Sequence, residues 1–363
     1  MTKLTHRQQL ILDYVIQRVS AQTREVASFL ADKVEHSSRA SIIRDLNFLA
    51  ANKLLTVSGK GRGARYEPAE KRGILHYIDV QEYFSRPVDE RTAKETFNFE
   101  IFKDLRGDIF STQELQEFER LNNDYRSRIK LLSPTALKKE FERITIEFSW
   151  KSSRLEGNTY SLIDTEILLK ENREATGHTK EEAVMILNHK KALEYTRDTR
   201  SNFRELDLRK IENVQSIIID GLDIERGIRK RPVGVVGAKY KPLGNQFQIQ
   251  EALEEGCGLI NATKNVPTKA LLAILLISYI QPFEDGNKRT SRLLGNALLL
   301  AYDYPPLSFR SVDEAEYKKA LILFYEQNNL LYFKELFVEQ FNFAAQNYFL
   351  QVEYVPPRGV GEG

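Results

Sequence analysis

The chain has 363 residues and a mass of 42.0 kDa, enough for about two or three domains and at least one extensive hydrophobic core. Its 53 basic and 51 acidic side chains give a formal net charge of +2, which excludes binding of nucleic acid by bulk charge alone. Apolar residues make up 42% and charged residues 29%, as in folded globular proteins. The single cysteine, Cys257, excludes an internal disulfide and a cysteine-rich zinc module.

The sequence has neither the pattern of a secretion signal nor that of a membrane span. The first residues lack an apolar stretch followed by a small-residue cleavage site. The most apolar run, residues 270–280, is eleven residues long, well short of the roughly 20 residues that cross a bilayer. We therefore expect a cytoplasmic protein with no membrane partner, in which this run forms a buried helix.

Three helices followed by a hairpin are predicted for residues 1–68. The helices follow from capping residues placed before runs of apolar periodicity, and the hairpin follows from two extended runs joined by a glycine-bearing turn. We expect the helices to open at Thr5, at Thr23 and at Ser37 and Ser38, and the hairpin arms to span residues 54–59 and 64–68. Three helices and a basic hairpin make a winged helix-turn-helix, and this stretch resembles the winged-helix domains of bacterial regulators.

The positive charge of the chain is concentrated in this region. Residues 1–70 carry eleven basic and seven acidic side chains, and residues 37–66 carry six basic side chains and one acid. They lie on the third helix and the hairpin, where a winged helix meets base edges and phosphates. The alternative is a protein-docking or dimerisation module with a solvated basic face, hence a possible homodimer. The candidate DNA-binding residues are Arg39, Arg44, Lys60, Arg62 and Arg65.

The rest of the chain is predicted to be mainly helical. Mixed proline, glycine and charge at residues 69–100 indicate a connector, residues 101–350 form one helical domain, and the tail 351–363 is expected to be frayed. Residues 231–243 are the exception, because β-branched residues and glycines between two prolines predict a short β-hairpin. The predicted helices include 114–130, 137–152, 165–170, 180–196, 208–219, 268–280, 289–302, 315–327 and 332–348.

Residues 281–292 carry the strongest chemical signal, with the sequence Gln-Pro-Phe-Glu-Asp-Gly-Asn-Lys-Arg-Thr-Ser-Arg. An apolar helix ends before this segment and an amphipathic helix begins within it. Gly286, Asn287 and Lys288 therefore stand at a helix N-terminus, where unpaired backbone N–H groups bind anions.

Three charged side chains strengthen this interpretation. Arg289 and Arg292 are three residues apart on one helix face, so both guanidinium groups can bind one phosphate chain. Asp285 is a hard oxygen ligand suited to Mg²⁺ that is held largely by phosphates and water. The segment predicts a polyphosphate site, and its alternative is an ordinary helix–loop–helix with surface arginines.

The same segment resembles the signature of the Fic (fido) family, His-Pro-Phe-x-Asp-Gly-Asn-Gly/Lys-Arg-x-x-Arg, at eleven of its twelve positions. The resemblance implies an all-helical Fic core that transfers AMP from ATP to a Ser, Thr or Tyr hydroxyl of a target protein. It also implies that Asp285 carries Mg²⁺, that residues 286–288 bind the phosphates, and that Arg289 and Arg292 bind the outer ones.

Residues 152–158 resemble the inhibitory helix motif of this family, Ser/Thr-x-x-x-Glu-Gly/Asn, through Ser152, Glu156 and Gly157. The resemblance implies that an inhibitory helix at about 137–157 pairs Glu156 with Arg292 and so blocks productive placement of the ATP γ-phosphate. The alternative is that Glu156 is a solvated helix acid. Together with the winged helix, the motif is similar to those of bacterial multidomain members of the family.

Two further features extend the resemblance. The predicted hairpin looks like the family's flap, which lines the nucleotide and pairs with the target backbone by strand addition. Tyr317 stands where the family tends to place an adenine-contacting tyrosine, whereas Tyr325 stands where an asparagine is common. The flap residues are Gly234, Val235, Val236 and Gly237.

Gln281 is the one departure from the signature, because the family has a histidine there as the general base. An amide has no accessible pKa for this task near neutral pH, and losing a general base costs about 10²–10⁴-fold in rate. None of the five histidines is adjacent in sequence, although one can arrive through the fold. Three functions stay open: an adenylyltransferase of reduced activity inhibited by Glu156, a DNA-binding regulator that binds nucleotide without transferring it, and an enzyme that uses Glu156 to remove AMP.

Overall fold

The computed structural model describes residues 4–18, 20–31, 38–52, 54–59, 61–69 and 73–350. Contacts within the chain divide it into two compact units, Met1–Ala93 with Glu326–Leu331 and Lys94–Tyr325 with Tyr332–Gly363. Over the described residues, strands occur only in the first unit, and the second is built from helices and loops.

The first unit begins with three helices and a small antiparallel sheet. The strands pair in the order β1-β3-β2, with Ala21 opposite Tyr66 and Leu55 opposite Pro68. The two-residue strand β1 is an addition to the predicted elements. The bounds are α1 (His6–Arg18), β1 (Ala21–Gln22), α2 (Thr23–Ala31), α3 (Arg39–Ala51), β2 (Leu55–Ser58) and β3 (Arg65–Pro68).

Two side chains fix the start and the packing of α3: Ser38 just before the helix and Asp45 on it. The Ser38 hydroxyl caps α3 by accepting from the Ser41 amide at 3.2 Å. Asp45, the one acid of the basic stretch, is buried and accepts from Arg7 Nε at 2.5 Å and from Gln8 Nε2 at 3.0 Å. Asp45 therefore joins α3 to α1 instead of lying among the basic side chains at the surface.

The candidate DNA-binding residues are described in part. Arg39 and Arg44 are exposed on α3, and Arg65 is exposed on β3, where it donates to Ser20 Oγ at 2.9 Å. Lys60 and the side chain of Arg62 lie outside the described residues, as do Ser37 and the tail 351–363.

The remainder of the first unit consists of short helical pieces. Two 3₁₀ turns, Gly73–Leu75 and Val88–Glu90, flank helix α4 (Val80–Ser85). The Leu330 amide donates to the Ile74 carbonyl at 2.8 Å, so residues near the end of the chain complete this unit.

Eleven further α-helices and a 3₁₀ helix, Arg200–Arg204, are present over the described residues. Two of them open with a capping box, in which Ser111 is paired with Glu114 and Thr179 with Glu182. The bounds are α5 (Ile101–Asp104), α6 (Thr112–Leu131), α7 (Pro134–Arg154), α8 (Leu162–Glu171), α9 (Lys180–Asp198), α10 (Leu208–Ile218), α11 (Gln246–Ala262), α12 (Val266–Ile280), α13 (Asn287–Ala301), α14 (Glu314–Gln327) and α15 (Leu331–Asn347).

Helices α12 and α13 form the centre of the second unit. Every residue of α12 is buried, as its apolar sequence predicts. A Cβ atom at Gly295 on α13 would lie 2.8 Å from the side chain of Ile274 on α12, so the glycine permits the close approach of the two helices. This packing fixes the loop that joins them.

Among the described residues, no helix combines the length and the apolar sequence that a membrane span requires.

The hairpin predicted over residues 231–243 is wrong. The segment is a loop with one turn, in which the Ala238 amide donates to the Val235 carbonyl at 3.2 Å. Its backbone bonds elsewhere, since the Lys241 amide donates to the Glu95 carbonyl at 2.8 Å and the two flanking prolines have no N–H to give to a ladder. The β-branched residues that predict strands here belong to a loop that forms an isolated bridge between Lys241 and Thr96 and no hairpin.

Gly295→Ala is expected to lower the free energy of unfolding by about 1–3 kcal/mol, because the added methyl group overlaps Ile274 in a packed core. Gly258 is the matched control, since it is exposed on α11 with open space around it. Gly258→Ala should raise the free energy of unfolding by up to about 1 kcal/mol, because alanine has a higher helix propensity than glycine. Urea unfolding measures both, and a neutral Gly295→Ala would contradict the close approach.

Candidate functional site

The loop between α12 and α13 is fixed by its own side chains. Gln281 ends α12 in the left-handed region, with φ 50°, and Gly286 precedes α13 with φ 83°. Asn287 accepts from the Phe283 amide and donates to the Phe283 carbonyl, both at 2.8 Å. A Cβ atom at Gly286 would lie 3.2 Å from Ile218, so both its surroundings and its backbone angle favour glycine. The loop thus presents the N-terminus of α13 in one orientation.

A cavity of about 340 Å³ opens beside this N-terminus and brings together most of the residues that the sequence singles out. Ser152, Gly237 and Arg292 do not line it. A wider groove of about 1070 Å³ lies along α7, α8 and α9, and none of the predicted site residues lines that groove. Those that line the smaller cavity are Glu156, Gly157, Gly234, Val235, Val236, Gln281, Asp285, Gly286, Asn287, Lys288, Arg289 and Tyr317.

Arg289 is a buried cation with an unused donor. Its side chain is 2% exposed, and its Nη2 donates to Asp285 Oδ2 at 2.8 Å. Its Nη1 is buried and makes no hydrogen bond. A buried N–H without an acceptor costs about 1–3 kcal/mol, so the arrangement favours an anion that supplies one.

Arg292 is fully buried, and each nitrogen of its guanidinium group is hydrogen-bonded. Nε donates to the Ser152 hydroxyl at 2.9 Å and Nη2 to the Ser152 carbonyl at 2.8 Å, while Nη1 donates to Glu156 Oε1 at 3.0 Å. Lys288 Nζ donates to Glu156 Oε2 at 2.9 Å. Burial opposes the charge of Glu156, but Arg292 and Lys288 outweigh burial and lower the pKa of Glu156 to about 2.

His189 reaches this group from α9. Its Nε2 lies 2.9 Å from Ser152 Oγ, and its Nδ1 lies 2.8 Å from the Met185 carbonyl oxygen. Burial, together with the neighbouring arginines, lowers the pKa of His189 to about 3, so the ring is neutral. No histidine is among the described residues that line the cavity, so no histidine side chain lies there beside Gln281.

Gln281 and its neighbour Tyr325 offer no proton acceptor. The Gln281 side chain is buried, and its Nε2 donates to the Ser278 carbonyl at 2.6 Å. The Tyr325 hydroxyl lies beside the Ser278 and Gln281 side chains without a hydrogen bond of ordinary geometry. Burial raises the pKa of Tyr325, so its hydroxyl stays protonated near neutral pH.

Tyr317 and the loop 231–243 form other walls of the cavity. Tyr317 is buried, and the guanidinium carbon of Arg292 lies 5.6 Å from the centre of its ring. Val236 is 98% exposed at the turn of the loop, and Gly237 beside it has φ 81°. The structure therefore places Tyr317 against the guanidinium group and Val236 at the surface.

Arg229 is a site residue that the sequence does not reveal. Its buried guanidinium group donates to the carbonyl oxygens of Gln281 at 2.7 Å, Arg231 at 2.8 Å and Leu243 at 2.5 Å. It thus ties both ends of the loop 231–243 to Gln281. No local pattern marks it, because Gln281 is 52 residues away along the chain and a carbonyl group carries no side-chain signal.

Among the three carboxylates that line the cavity, those of Glu156, Glu284 and Asp285, the sequence singles out Asp285 for a metal ion. The described residues contain no cluster of three or more His, Cys, Asp or Glu side chains that could hold one. Asp285 is 60% exposed beside the N-terminus of α13. One carboxylate fits Mg²⁺ held mostly by phosphate oxygens and water, and does not fit a metal bound by protein ligands alone.

Comparison with known proteins finds a family that is similar to the part of the chain around α12 and α13. Residues 205–299 match the model of the Fic/DOC family. The chain is 31% identical over 208 residues to protein adenylyltransferase Fic of Aedes aegypti, covering 56% of this chain and 42% of that protein. It is 30% identical over 210 residues to the protein of the same name from Culex quinquefasciatus, covering 56% and 41%. The match therefore spans about two fifths of each relative.

Solved structures show the same fold. A Fic domain containing signaling protein from Bacteroides thetaiotaomicron superposes with a TM-score of 0.53 at 22% identity, covering 63% of this chain and 95% of that one. Fic-1 from C. elegans, residues 134–508, superposes with a TM-score of 0.57 at 20% identity, covering 68% and 79%. The chain thus contains a Fic/DOC family domain with the Fic fold.

Glu156→Gln is expected to lower the free energy of unfolding at about pH 6 by about 1–3 kcal/mol, since it removes a charged acceptor from two cations. The pKa of Glu156 falls from 4.5 to about 2 on folding, so its contribution is complete above about pH 4.5 and is lost as the pH falls toward about 2. Urea unfolding should therefore show a smaller difference from wild type at about pH 3 than at about pH 6. The exposed Glu174→Gln is the control, and a difference independent of pH would contradict the ion pair.

Proposed function

We propose that the cavity binds ATP with Mg²⁺ and that the Fic/DOC domain is the scaffold of a protein adenylyltransferase. Arg289 carries the proposal, because its buried Nη1 lacks an acceptor next to a helix N-terminus that favours anions. Further support comes from the relatives, which are named protein adenylyltransferase Fic and match 56% of this chain.

In this proposal the phosphates lie along the N-terminus of α13. The backbone amides of residues 286–288 bind them, and Arg289 and Arg292 bind the outer phosphates. Mg²⁺, held by Asp285 with phosphate oxygens and water, would neutralise part of the phosphate charge. The nucleoside then extends toward Tyr317 and toward Gly234, Val235 and Val236, which complete the walls of the cavity, with Gly237 just beyond them.

The reaction is attack of a Ser, Thr or Tyr hydroxyl of a target protein on the α-phosphorus. The new O–P bond forms while the bond to the bridging oxygen of the β-phosphate breaks, so pyrophosphate leaves and the hydroxyl proton needs an acceptor. Gln281 stands at the position of the family's histidine, is not basic, and already donates to Ser278. We therefore expect nucleotide binding to persist and transfer to be slower by about 10²–10⁴-fold.

Glu156 is the proposed inhibitory residue, with Ser152 and Gly157 as the rest of its motif. Its carboxylate bonds to Arg292 and Lys288, the cations on which an outer phosphate would otherwise be placed. A phosphate at that position would meet a second negative charge at short range in a poorly solvated site. Productive binding of ATP therefore requires that Glu156 leave Arg292.

Self-labelling with α-labelled ATP and Mg²⁺ tests both proposed defects. Strong labelling is expected only for Glu156→Gly combined with Gln281→His, because one change frees the phosphate site and the other restores a base. Strong labelling of Glu156→Gly alone would contradict the proposal that Gln281 limits transfer. Glu174→Gly, an exposed loop acid away from the cavity, should behave as wild type.

Two further arms identify the site and the direction of the reaction. Arg289→Ala, added to the double variant, should abolish labelling because it removes the unpaired donor. Incubation of the labelled double variant with wild-type protein should release no label. Release that depends on Glu156 would instead favour removal of AMP as the activity.

Exposed arginines on α3 and β3 favour DNA binding by the first unit as a second candidate function. We propose that residues 1–68 form a winged helix-turn-helix, with α3 as the recognition helix and β2 and β3 as the wing. Arg39 and Arg44 are exposed on α3, and the buried Asp45 does not offset them at the surface. The protein would then be a cytoplasmic regulator that senses nucleotide, and dimerisation is the alternative use of the face.

A gel shift with the gene's own upstream DNA, at low and physiological salt, tests this candidate. Arg39→Ala with Arg65→Ala should weaken binding and reduce the slope of log K against log salt by about 2, since two phosphate contacts are lost. Arg106→Ala, an exposed arginine of the second unit, should leave binding unchanged. Absence of a shift at both salt concentrations would contradict DNA binding.

A further inference from the structure

His189 is a buried titratable side chain to which the proposed function gives no role. It lies on α9, is fully buried, and bonds to the Ser152 hydroxyl, which in turn bonds to Arg292. The three side chains therefore form one hydrogen-bonded chain from α9 through α7 to α13.

The direction of each hydrogen bond in this chain can be derived. His189 Nδ1 lies 2.8 Å from the Met185 carbonyl oxygen and 3.2 Å from the Ser153 hydroxyl. The carbonyl oxygen can only accept, so Nδ1 carries the proton and Nε2 is an acceptor. Arg292 Nε can only donate, so the Ser152 oxygen accepts from it and the Ser152 hydroxyl donates to His189 Nε2. Burial and two neighbouring arginines keep the ring neutral, which this arrangement requires. The chain is thus satisfied in one orientation.

This orientation determines where Arg292 points. Arg292 donates from Nε to the Ser152 hydroxyl and from Nη2 to the Ser152 carbonyl oxygen. Its Nη1 therefore remains to donate to the carboxylate of Glu156. Loss of Glu156 would leave both bonds to Ser152 in place. The guanidinium group is therefore aimed by α7 and α9, and not by the residue proposed to inhibit it.

We propose that His189 is a positioning residue that, through Ser152, keeps Nη1 of Arg292 aimed at the outer phosphates of ATP. This inference rests on the proposed nucleotide site. It differs from a space-filling role, in which His189 would serve only to pack beside Phe148, whose ring centre is 5.9 Å away. Positioning predicts an effect confined to nucleotides that have outer phosphates, whereas packing predicts an effect on the whole site.

Calorimetric titration with Mg²⁺ separates these roles in the Glu156→Gly background, where Arg292 is available. His189→Leu should weaken ATP binding about tenfold, the effect of losing support for one hydrogen bond to a charged group, and should leave AMP binding unchanged. His189→Gln keeps an acceptor near the position of Nε2 and should restore most of the affinity for ATP. His178→Leu, a histidine that bonds to Thr159 instead, should change neither affinity.

A double-mutant cycle gives a second readout. Ser152→Ala breaks the same chain, so its effect on ATP affinity and that of His189→Leu should be strongly non-additive. Equal losses of ATP and AMP affinity, additive effects, or no change with His189→Leu would each overturn the positioning role while leaving nucleotide binding intact. If Glu156→Gly itself binds neither nucleotide, the proposed function fails and the inference fails with it.

Discussion

The fully buried guanidinium group of Arg292 is the charge around which the site is organised. An arginine cannot lose its proton in a protein, so a buried one needs acceptors for its donors and a compensating anion. The acceptors come from Ser152 and the anion from Glu156, and both follow from the position of α7. Removing one partner of a buried pair typically costs about 3–5 kcal/mol. One charge therefore holds α7, α9 and α13 in a single arrangement.

The carboxylate of Glu156 and the proposed substrate would be alternative partners for the same positive charge. Lys288 and Arg292 share the carboxylate of Glu156, while Arg289 is paired with the more exposed Asp285 and keeps one donor free. When Glu156 leaves, Arg292 and Lys288 lose the negative charge that balances them. A phosphate bound in its place would supply that negative charge again. Only molecules in which Glu156 has left Arg292 would bind ATP productively, so the apparent affinity for ATP would be lowered in proportion to their fraction. This effect needs no movement of the core.

Local patterns were sufficient for the loop at 281–292 and insufficient for what surrounds it. The helix boundaries, the glycine at 286 and the spacing of Arg289 and Arg292 all follow from signals within one or two turns. Lys288 illustrates the limit, because the sequence assigns it to phosphates whereas its amine bonds to Glu156, 132 residues away. Only the family resemblance, and no local rule, pointed to the position of Glu156.

Sequence patterns predict neither the conformation of the loop 231–243 nor the contacts of His189, and the two reasons are related. Valine and glycine between prolines favour strands, but the backbone groups that would form a ladder are taken by Glu95 and by the guanidinium group of Arg229, which come from elsewhere in the chain. His189 lies in a helical run with no unusual local pattern, and the role proposed for it depends on a serine 37 residues earlier. Hydrogen bonds across such separations are set by tertiary packing, and propensity does not encode them.

In the proposed function, nucleotide binding and transfer would depend on different atoms of the site, so one could be lost without the other. Phosphate binding would use the N-terminus of α13 and the side chains of Arg289 and Arg292 on that helix, whereas removal of the target's proton would use one side chain at the end of α12. Gln281 adopts the left-handed conformation there, donates to Ser278 and offers its carbonyl to Arg229. Its backbone thus meets the requirements of the fold while its amide cannot act as a base. Under the proposed function, a glutamine at this position would separate recognition of the nucleotide from chemistry, since every charge proposed to hold the phosphates is independent of it.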